Sequence, residues 1–333
     1  MKKTYIIAEA GVNHNGSLEL AKRLADIAKQ AGADCVKYQT FIPENLVTET
    51  AQMAEYQKEN MGKRSSQLEM LKGLSLSFEE FQKLKDYCDV IGITFISTPF
   101  DLDSIAFLND MHLSFWKVPS GEITNYPYLK MIGKTRKPVV LSTGMSTLSE
   151  VDEAVAVLKS FGTEEITLLH CTTEYPAPFA EVNLKAMKTM QETFHLPVGY
   201  SDHTEGILAP LLAVGLGAVV IEKHFTLDKK MEGPDHRASL NPDELKEMID
   251  QIRLADVMLR GSGAKERTVS EEKNIAIARK SIVAKNAIQK GELFSEANLT
   301  TKRPGDGLNP MFWEEVIGRP AKRDFPKDAF IEL

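Results

Sequence analysis

The chain has 333 residues, 43% hydrophobic and 26% charged, with a formal net charge of −7 at pH 7. These proportions describe an ordinary globular protein with ample core material, and the negative balance excludes nucleic acid or an anionic membrane as its main partner. Cys35, Cys88 and Cys171 form no spaced pair and read as reduced core thiols. The N-terminal MKKTYIIAEAG has too brief an apolar run for a signal peptide, so a cytoplasmic protein is expected.

Residues 4–9 (TYIIAE) read as a strand, and Ser17 then caps an amphipathic helix that Gly32 stops. Residues 34–40 (DCVKYQT) form a second strand. A long polar insertion follows, 41–76, expected to be partly helical and to cover a site. Ser77 with Glu80 makes a capping box for the next helix, and Thr147 with Glu150 makes another further on. Strands are predicted at 93–97, 115–118, 139–142 and 166–170, each followed by a helical pattern. Residues 197–201 and 218–223 supply strands seven and eight around a Gly- and Ala-rich helical segment, and NPDELKEMIDQIRLADVMLRG closes the series.

Eight strands alternating with eight helices over about 260 residues have the count and length of an α/β fold of the (β/α)8 TIM-barrel type. An open doubly wound sheet fits less well, because the turn after the first strand reads AEAGVNHNG and lacks the dinucleotide glycines. The expected barrel covers residues 1–262, with a charged linker over 263–280. From 281 to 333, short β-prone pieces alternate with turn signals (KNAIQKGE, RPGDG, FPKD), which predicts a small β-rich domain.

In such a barrel the C-terminal strand ends build the active site. Lys37 and Lys117 sit inside apolar strands, where an unpaired ammonium is costly. With the hydroxyls of Thr98, Ser120 and Ser142 they suit a phosphate or carboxylate. Glu9 and Glu122 are candidate general bases. His203 and His224 follow strands seven and eight, which should be parallel neighbours, so both imidazoles leave the sheet at one end. A lone histidine is more often a satisfied buried polar residue. The matched placement here, among the acids Asp202, Glu222 and Asp235, favours a shared metal ion; Lys223 is a further polar group at the same strand end. An anion pocket, carboxylates and a metal together point to carbonyl chemistry on a phosphorylated or acidic small molecule.

The strings IAEAGVNHNGS, VKYQTF, FISTPFD, WKVPSGE, LSTGM, LLHCTTEYPAPF, GYSDHT, IEKHFTLD and GPDH run in order through the chain and resemble the sialic acid (N-acetylneuraminate) synthases, including their legionaminate branch. The tail, SIVAKNAIQKGE…TTKRPGDGL, resembles their C-terminal antifreeze-like (SAF) domain, a β-clip. The resemblance implies a metal-dependent transferase that condenses phosphoenolpyruvate with an open-chain N-acetylated hexose and releases phosphate. N-acetylmannosamine would give N-acetylneuraminate; 2,4-diacetamido-2,4,6-trideoxymannose would give N,N'-diacetyllegionaminate.

The resemblance also implies roles. Glu9 would be the proton-transfer carboxylate and Glu122 a second acid near the reacting carbons. Lys37, Thr98, Lys117, Ser120 and Ser142 would hold phosphoenolpyruvate, and His203 and His224 would hold a divalent metal, Mn2+ with Mg2+ or Co2+ as alternatives. Gln39, Tyr175, Asp235 and Arg303 would surround the sugar, Arg303 arriving from the other subunit of a domain-swapped homodimer. Where the family often has Asn shortly before the Tyr of its YP motif, this chain has Thr173 and Glu174. Two other functions suit the residues taken alone: a Schiff-base pyruvate aldolase using Lys117 or Lys37, and a non-catalytic sugar-binding protein.

Overall fold

Strand β1, Tyr5–Gly11, is buried from its second residue onward and is an interior strand of the sheet. In the computed structural model, which describes residues 3–53, 57 and 66–333, seven further strands align parallel with it. They are β2 (Cys35–Thr40), β3 (Thr94–Pro99), β4 (Trp116–Val118), β5 (Val139–Ser142), β6 (Ile166–His170), β7 (Val198–Asp202) and β8 (Val220–His224). The bonded order is β3-β2-β1-β8-β7-β6-β5-β4, and β3 also lies beside β4, so the sheet curls into a nearly closed barrel. The expected (β/α)8 architecture is the one observed.

The helices form where local signals agree. In α1, Leu18–Ala31, Ser17 caps the first turn and Gly32, at φ 88°, ends the last. Capping boxes open α4 (Phe78–Ile91), α7 (Leu148–Ser160) and α10 (Pro242–Met258). Between these lie α5 (Leu102–Asp110), α6 (Tyr126–Lys134), α8 (Ala186–Phe194) and α9 (Leu208–Gly215). They bury one continuous apolar core against the outer face of the barrel.

Among its described residues the insertion carries the short helices α2 (Pro43–Leu46) and α3 (Gln67–Leu74). Met70, Leu71 and Leu74 pack with Val12 and Phe41 into a separate small core over the barrel mouth side of β1 and β2. The part of the insertion at 54–56 and 58–65 lies outside the described residues.

The chain divides into two units, Met1–Arg260 and Gly261–Leu333. The second has its own core, including Ile282, Phe294, Leu299, Val316 and Phe325. Its antiparallel pair is β9 (Ser281–Ala284) and β10 (Leu299–Lys302), and a short helix α12 (Trp313–Val316) follows. The stretch read as a linker contains a helix, α11 (Val269–Ala278), none of whose residues is buried. Its cap explains it: the Glu271 carboxylate accepts from Thr268 N–H at 2.8 Å and from the Thr268 hydroxyl at 2.9 Å.

Candidate active site

Side chains alternate along each strand between the barrel interior and the helix layer. That alternation brings Glu9, Lys37, Lys117 and Glu222, from four different strands, into one buried cluster. Lys37 pairs closely with Glu9, lies 3.7 Å from Glu222, and donates to Thr98 Oγ1 at 3.1 Å. Lys117 donates to Ser142 Oγ at 2.8 Å and lies 3.4 Å from Glu222. Ser201 donates to Glu222 at 3.0 Å, and Gln39 donates to Glu9 at 3.2 Å.

Burial sets the protonation of this cluster, with the partners deciding its sign. Burial pushes the Glu9 carboxyl up to about 7, assisted by the charge of Glu222 and opposed by Lys37. Burial works against the Lys37 ammonium too, but Glu222 and Glu9 outweigh it and hold Lys37 above its usual range. Lys117 is lowered by burial and by Lys37, which Glu222 offsets only in part. Glu222 is itself held low, because both lysines and the Ser201 bond overcome its burial. The result is a carboxyl poised near neutrality beside a fixed carboxylate and two amines, with three hydroxyls on or near the rim.

Ser120 closes one side. It follows β4 in a single 3-10 turn, and its Oγ accepts from Gly144 N–H at 2.9 Å. Glu122, in the same turn, is half-buried and accepts from Asn125 at 2.6 Å; burial raises its carboxyl above the usual value.

His203 and His224 emerge together, with ring centroids 5.7 Å apart. The carbonyl of Thr172 can only accept, so the 2.6 Å contact at His203 Nδ1 places the proton there. The neutral ring therefore carries its lone pair on Nε2. Burial depresses His203, and His224 lies well below the usual range through burial and its neighbour's charge. His224 Nδ1 is buried with no hydrogen-bond partner among the described residues. Two neutral imidazoles with available lone pairs suit a divalent ion. No cluster of three or more His, Cys, Asp or Glu residues able to hold a metal occurs among the described residues.

The Tyr175 ring stands 4.2 Å from that of His203. Beyond it opens a cavity of about 260 Å3, polar along Gln39, Tyr175 and Asp235 and apolar along Phe41, Leu46, Val47 and Leu71. Burial pushes the Asp235 carboxyl up to about 6. The loop carrying Asp235 is tied to the loop after β1. Asn13 donates to Phe225 O at 2.8 Å and to Ser239 Oγ at 3.0 Å, and Ser239 donates to Asp235 O at 2.6 Å. Asn15 donates to Glu232 O and accepts from His236 Nε2 at 3.2 Å.

Comparison with known proteins assigns this arrangement. Residues 24–265 match the NeuB family and residues 279–332 the SAF domain. The chain belongs to the NeuB family. It is 54% identical to the N,N'-diacetyllegionaminic acid synthase of Campylobacter jejuni, over 99% of both chains. It is 48% identical to the enzyme of that name from Legionella pneumophila, over 94% of this chain and 89% of the relative. The crystal structure of N-acetylneuraminic acid synthetase from Leptospira borgpetersenii, in complex with citrate, superposes with a TM-score of 0.71 at 33% identity. That match covers 82% of this chain and 90% of that one. This NeuB-family chain is accordingly an enzyme, a synthase of nonulosonic, sialic-acid-type acids.

Of the residues singled out from sequence, the barrel gathers Glu9, Lys37, Thr98, Lys117 and Ser142 with the two histidines, Gln39, Tyr175 and Asp235, while Ser120 and Glu122 flank them. Arg303 belongs to the second unit, where it is exposed and donates to Ala278 O at 3.0 Å. Asp202 and Lys223, expected among the polar groups at the mouth, instead face each other in a fully buried pair away from it. Strand parity is the reason, since each is adjacent in sequence to an inward-facing histidine. The same parity puts Glu222 on the face of His224 two residues on, where it is counter-charge to both Lys37 and Lys117. Asn13, Asn15 and His236 carried no such signal, because their partners are more than 200 residues away in sequence.

Proposed function

We propose that this enzyme condenses phosphoenolpyruvate with open-chain 2,4-diacetamido-2,4,6-trideoxymannose to give N,N'-diacetyllegionaminate and phosphate. The observation that carries the choice of sugar is the apolar wall of Phe41, Leu46, Val47 and Leu71 facing Gln39, Tyr175 and Asp235. A sugar with a methyl at C6 and two acetamido methyls buries apolar surface against that wall, while Gln57 and Gln67, which line the same cavity, are placed to serve its amide groups. The two legionaminic acid synthases at 54% and 48% identity support the same sugar.

Lys37 and Lys117, with Thr98, Ser120 and Ser142, hold the carboxylate and phosphate of phosphoenolpyruvate, Glu222 keeping the two ammonium groups apart and oriented. Gln39, Tyr175 and Asp235 orient the sugar so that its aldehyde carbon meets C3 of phosphoenolpyruvate. His203 and His224 would hold a divalent ion, Mn2+ in our reading, which supplies Lewis-acid polarisation of the aldehyde oxygen. As the carbon–carbon bond forms, C2 becomes electron-poor and a water adds to it. Glu9, poised near neutrality, takes the water proton, with Glu122 as the second acid nearby. The aldehyde oxygen gains a proton to become a hydroxyl. The hemiketal phosphate at C2 then collapses to the ketone, its hydroxyl proton leaving with phosphate.

The assembly we propose is a homodimer in which Arg303 of one chain reaches the sugar site of the other. An exposed stripe of Leu208 and Leu212 on α9 and Leu216 at its C-cap supports an oligomer, because no charged residue separates Glu205 from Glu222. No described helix is long and apolar enough to cross a membrane, and a cytoplasmic enzyme fits a phosphoenolpyruvate substrate.

Phosphate release from phosphoenolpyruvate is the test, run with each sugar in turn. The diacetamido sugar should give the higher kcat/KM by at least an order of magnitude. Preference for N-acetylmannosamine would transfer the enzyme to the N-acetylneuraminate branch, and no release with either sugar would refute the synthase reading. Phosphoenolpyruvate labelled with 18O at the bridge should pass its label to phosphate.

A further inference from the structure

The residues immediately before the two histidines form a buried ion pair. Alternation along the chain turns His203 and His224 into the mouth and turns Asp202 and Lys223 to the opposite face of the sheet. There Lys223, with no exposed surface, donates to Asp202 Oδ2 at 2.5 Å and also to the carbonyl oxygen of Thr204. Asp202 is fully partnered. Its Oδ1 accepts from Tyr200 Oη at 2.9 Å and from Thr204 N–H at 3.0 Å, and its Oδ2 accepts from Thr204 Oγ1 at 3.1 Å. Asp202 and Lys223 are also register partners in the β7–β8 ladder.

The bonds grip the backbone on both sides of His203, at 202 and at 204, and tie it to the residue before His224. An apolar pair could fill this space with at least equal stability, since desolvation cancels much of a buried ion pair's attraction. What the charged pair adds is direction. Beside it, Ala177 N–H donates to His203 O at 2.9 Å and Thr172 O holds the ring at Nδ1, so losing the pair removes one of three restraints and lets the His203 ring shift relative to His224.

We propose that Asp202 and Lys223 are positioning residues: their pair sets the spacing of His203 and His224 and thereby the affinity of this site for a divalent cation. The proposal rests on the reading that these two imidazoles hold the ion, and the measurement separates the two. Metal-free full-length enzyme is titrated with Mn2+, free Mn2+ being followed by electron paramagnetic resonance without substrate. The Asp202→Asn/Lys223→Met double variant leaves no buried charge unpaired. It should fold by circular dichroism and bind Mn2+ with a Kd roughly 10-fold higher, the low end of the range for losing a group bonded directly to a metal ligand, because this pair acts through the backbone. Asp256→Asn is the control, because it weakens buried bonds to Thr4 just before β1, outside the mouth. It should lower Tm and leave Mn2+ affinity unchanged.

A folded double variant with wild-type Kd overturns the proposal. Should the double variant fail to fold, Tyr200→Phe removes only one bond to Asp202 and is read in the same way, with weakened Mn2+ binding expected and unchanged binding decisive against. If the wild-type enzyme binds no Mn2+, the metal reading itself has failed and the clamp falls with it.

Discussion

Lys117 shows what one interior position decides. Its ammonium is buried, bonded to Ser142 and balanced by Glu222. Replacing it with Met keeps the stem and removes a charged hydrogen bond, worth about 1.5–3 kcal/mol. The kcat/KM for phosphoenolpyruvate should therefore fall roughly 10- to 150-fold while Tm changes little. Unchanged steady-state kinetics would remove Lys117 from the anion cradle. Asp235 makes a prediction of opposite sign for stability and activity. Its carboxyl rises from 3.8 to about 6 on burial, so the folded state binds the proton more tightly than the unfolded state. That contribution is intact below pH 4 and is lost as pH climbs towards 6, a loss of about 3 kcal/mol by neutrality. Asp235→Asn, which cannot ionise, should gain stability relative to wild type between pH 4 and pH 7.5, yet raise the sugar KM. Melting both proteins across that range is the check, and a Tm difference independent of pH would contradict it.

At the scale of elements, the loop after β1 acts as a bracket for the loop after β8. Asn13 and Asn15 satisfy carbonyls at Phe225 and Glu232 and so hold the backbone that presents Asp235. Asn15→Ala should raise the sugar KM by up to roughly tenfold, the scale of one hydrogen bond, and leave the phosphoenolpyruvate KM alone. Equal changes in both would mean general loosening of the barrel. The same scale shows what a local pattern reveals. Ser17, Ser77, Thr147 and Asn241 sit where the capping rules place them, because a cap is settled within four residues. Helix α11 obeys the same rule through Thr268 and Glu271, but its charge-rich, unburied faces disguised it as a linker.

For the whole molecule, separate cores underlie separate roles. The barrel buries one continuous cluster, and the second unit closes its own around Phe294 and Phe325. A chain ending at Gly263 should therefore give a folded barrel that binds Mn2+ and has almost no synthase activity. Exchange of the second unit between chains makes a sharper forecast. Mixed dimers of Arg303→Ala and His203→Ala subunits should place both lesions in one site and neither in the other, so activity reappears. If each second unit serves its own barrel, every site keeps one lesion and mixing recovers nothing. The readout is phosphate release before and after subunit exchange.

The alternation of eight apolar strands with capped helices was enough, by itself, to determine the barrel, because strand and helix periodicities and end signals are local. Strand direction and parity likewise determined that Glu9, Lys37 and Lys117, inside their strands, and His203 and His224, at the ends of theirs, would converge, since parallel strands put all their C-terminal ends on one side. What the tertiary structure alone decided was the pairing within that mouth. Glu222 as shared counter-charge, Asp202 and Lys223 turned away from the site, and Asn13 and Asn15 bracing the Asp235 loop all depend on which faces meet across the closed sheet. Those contacts join residues up to 226 positions apart. Their energies come from desolvation and charge geometry, which no local stretch of sequence contains.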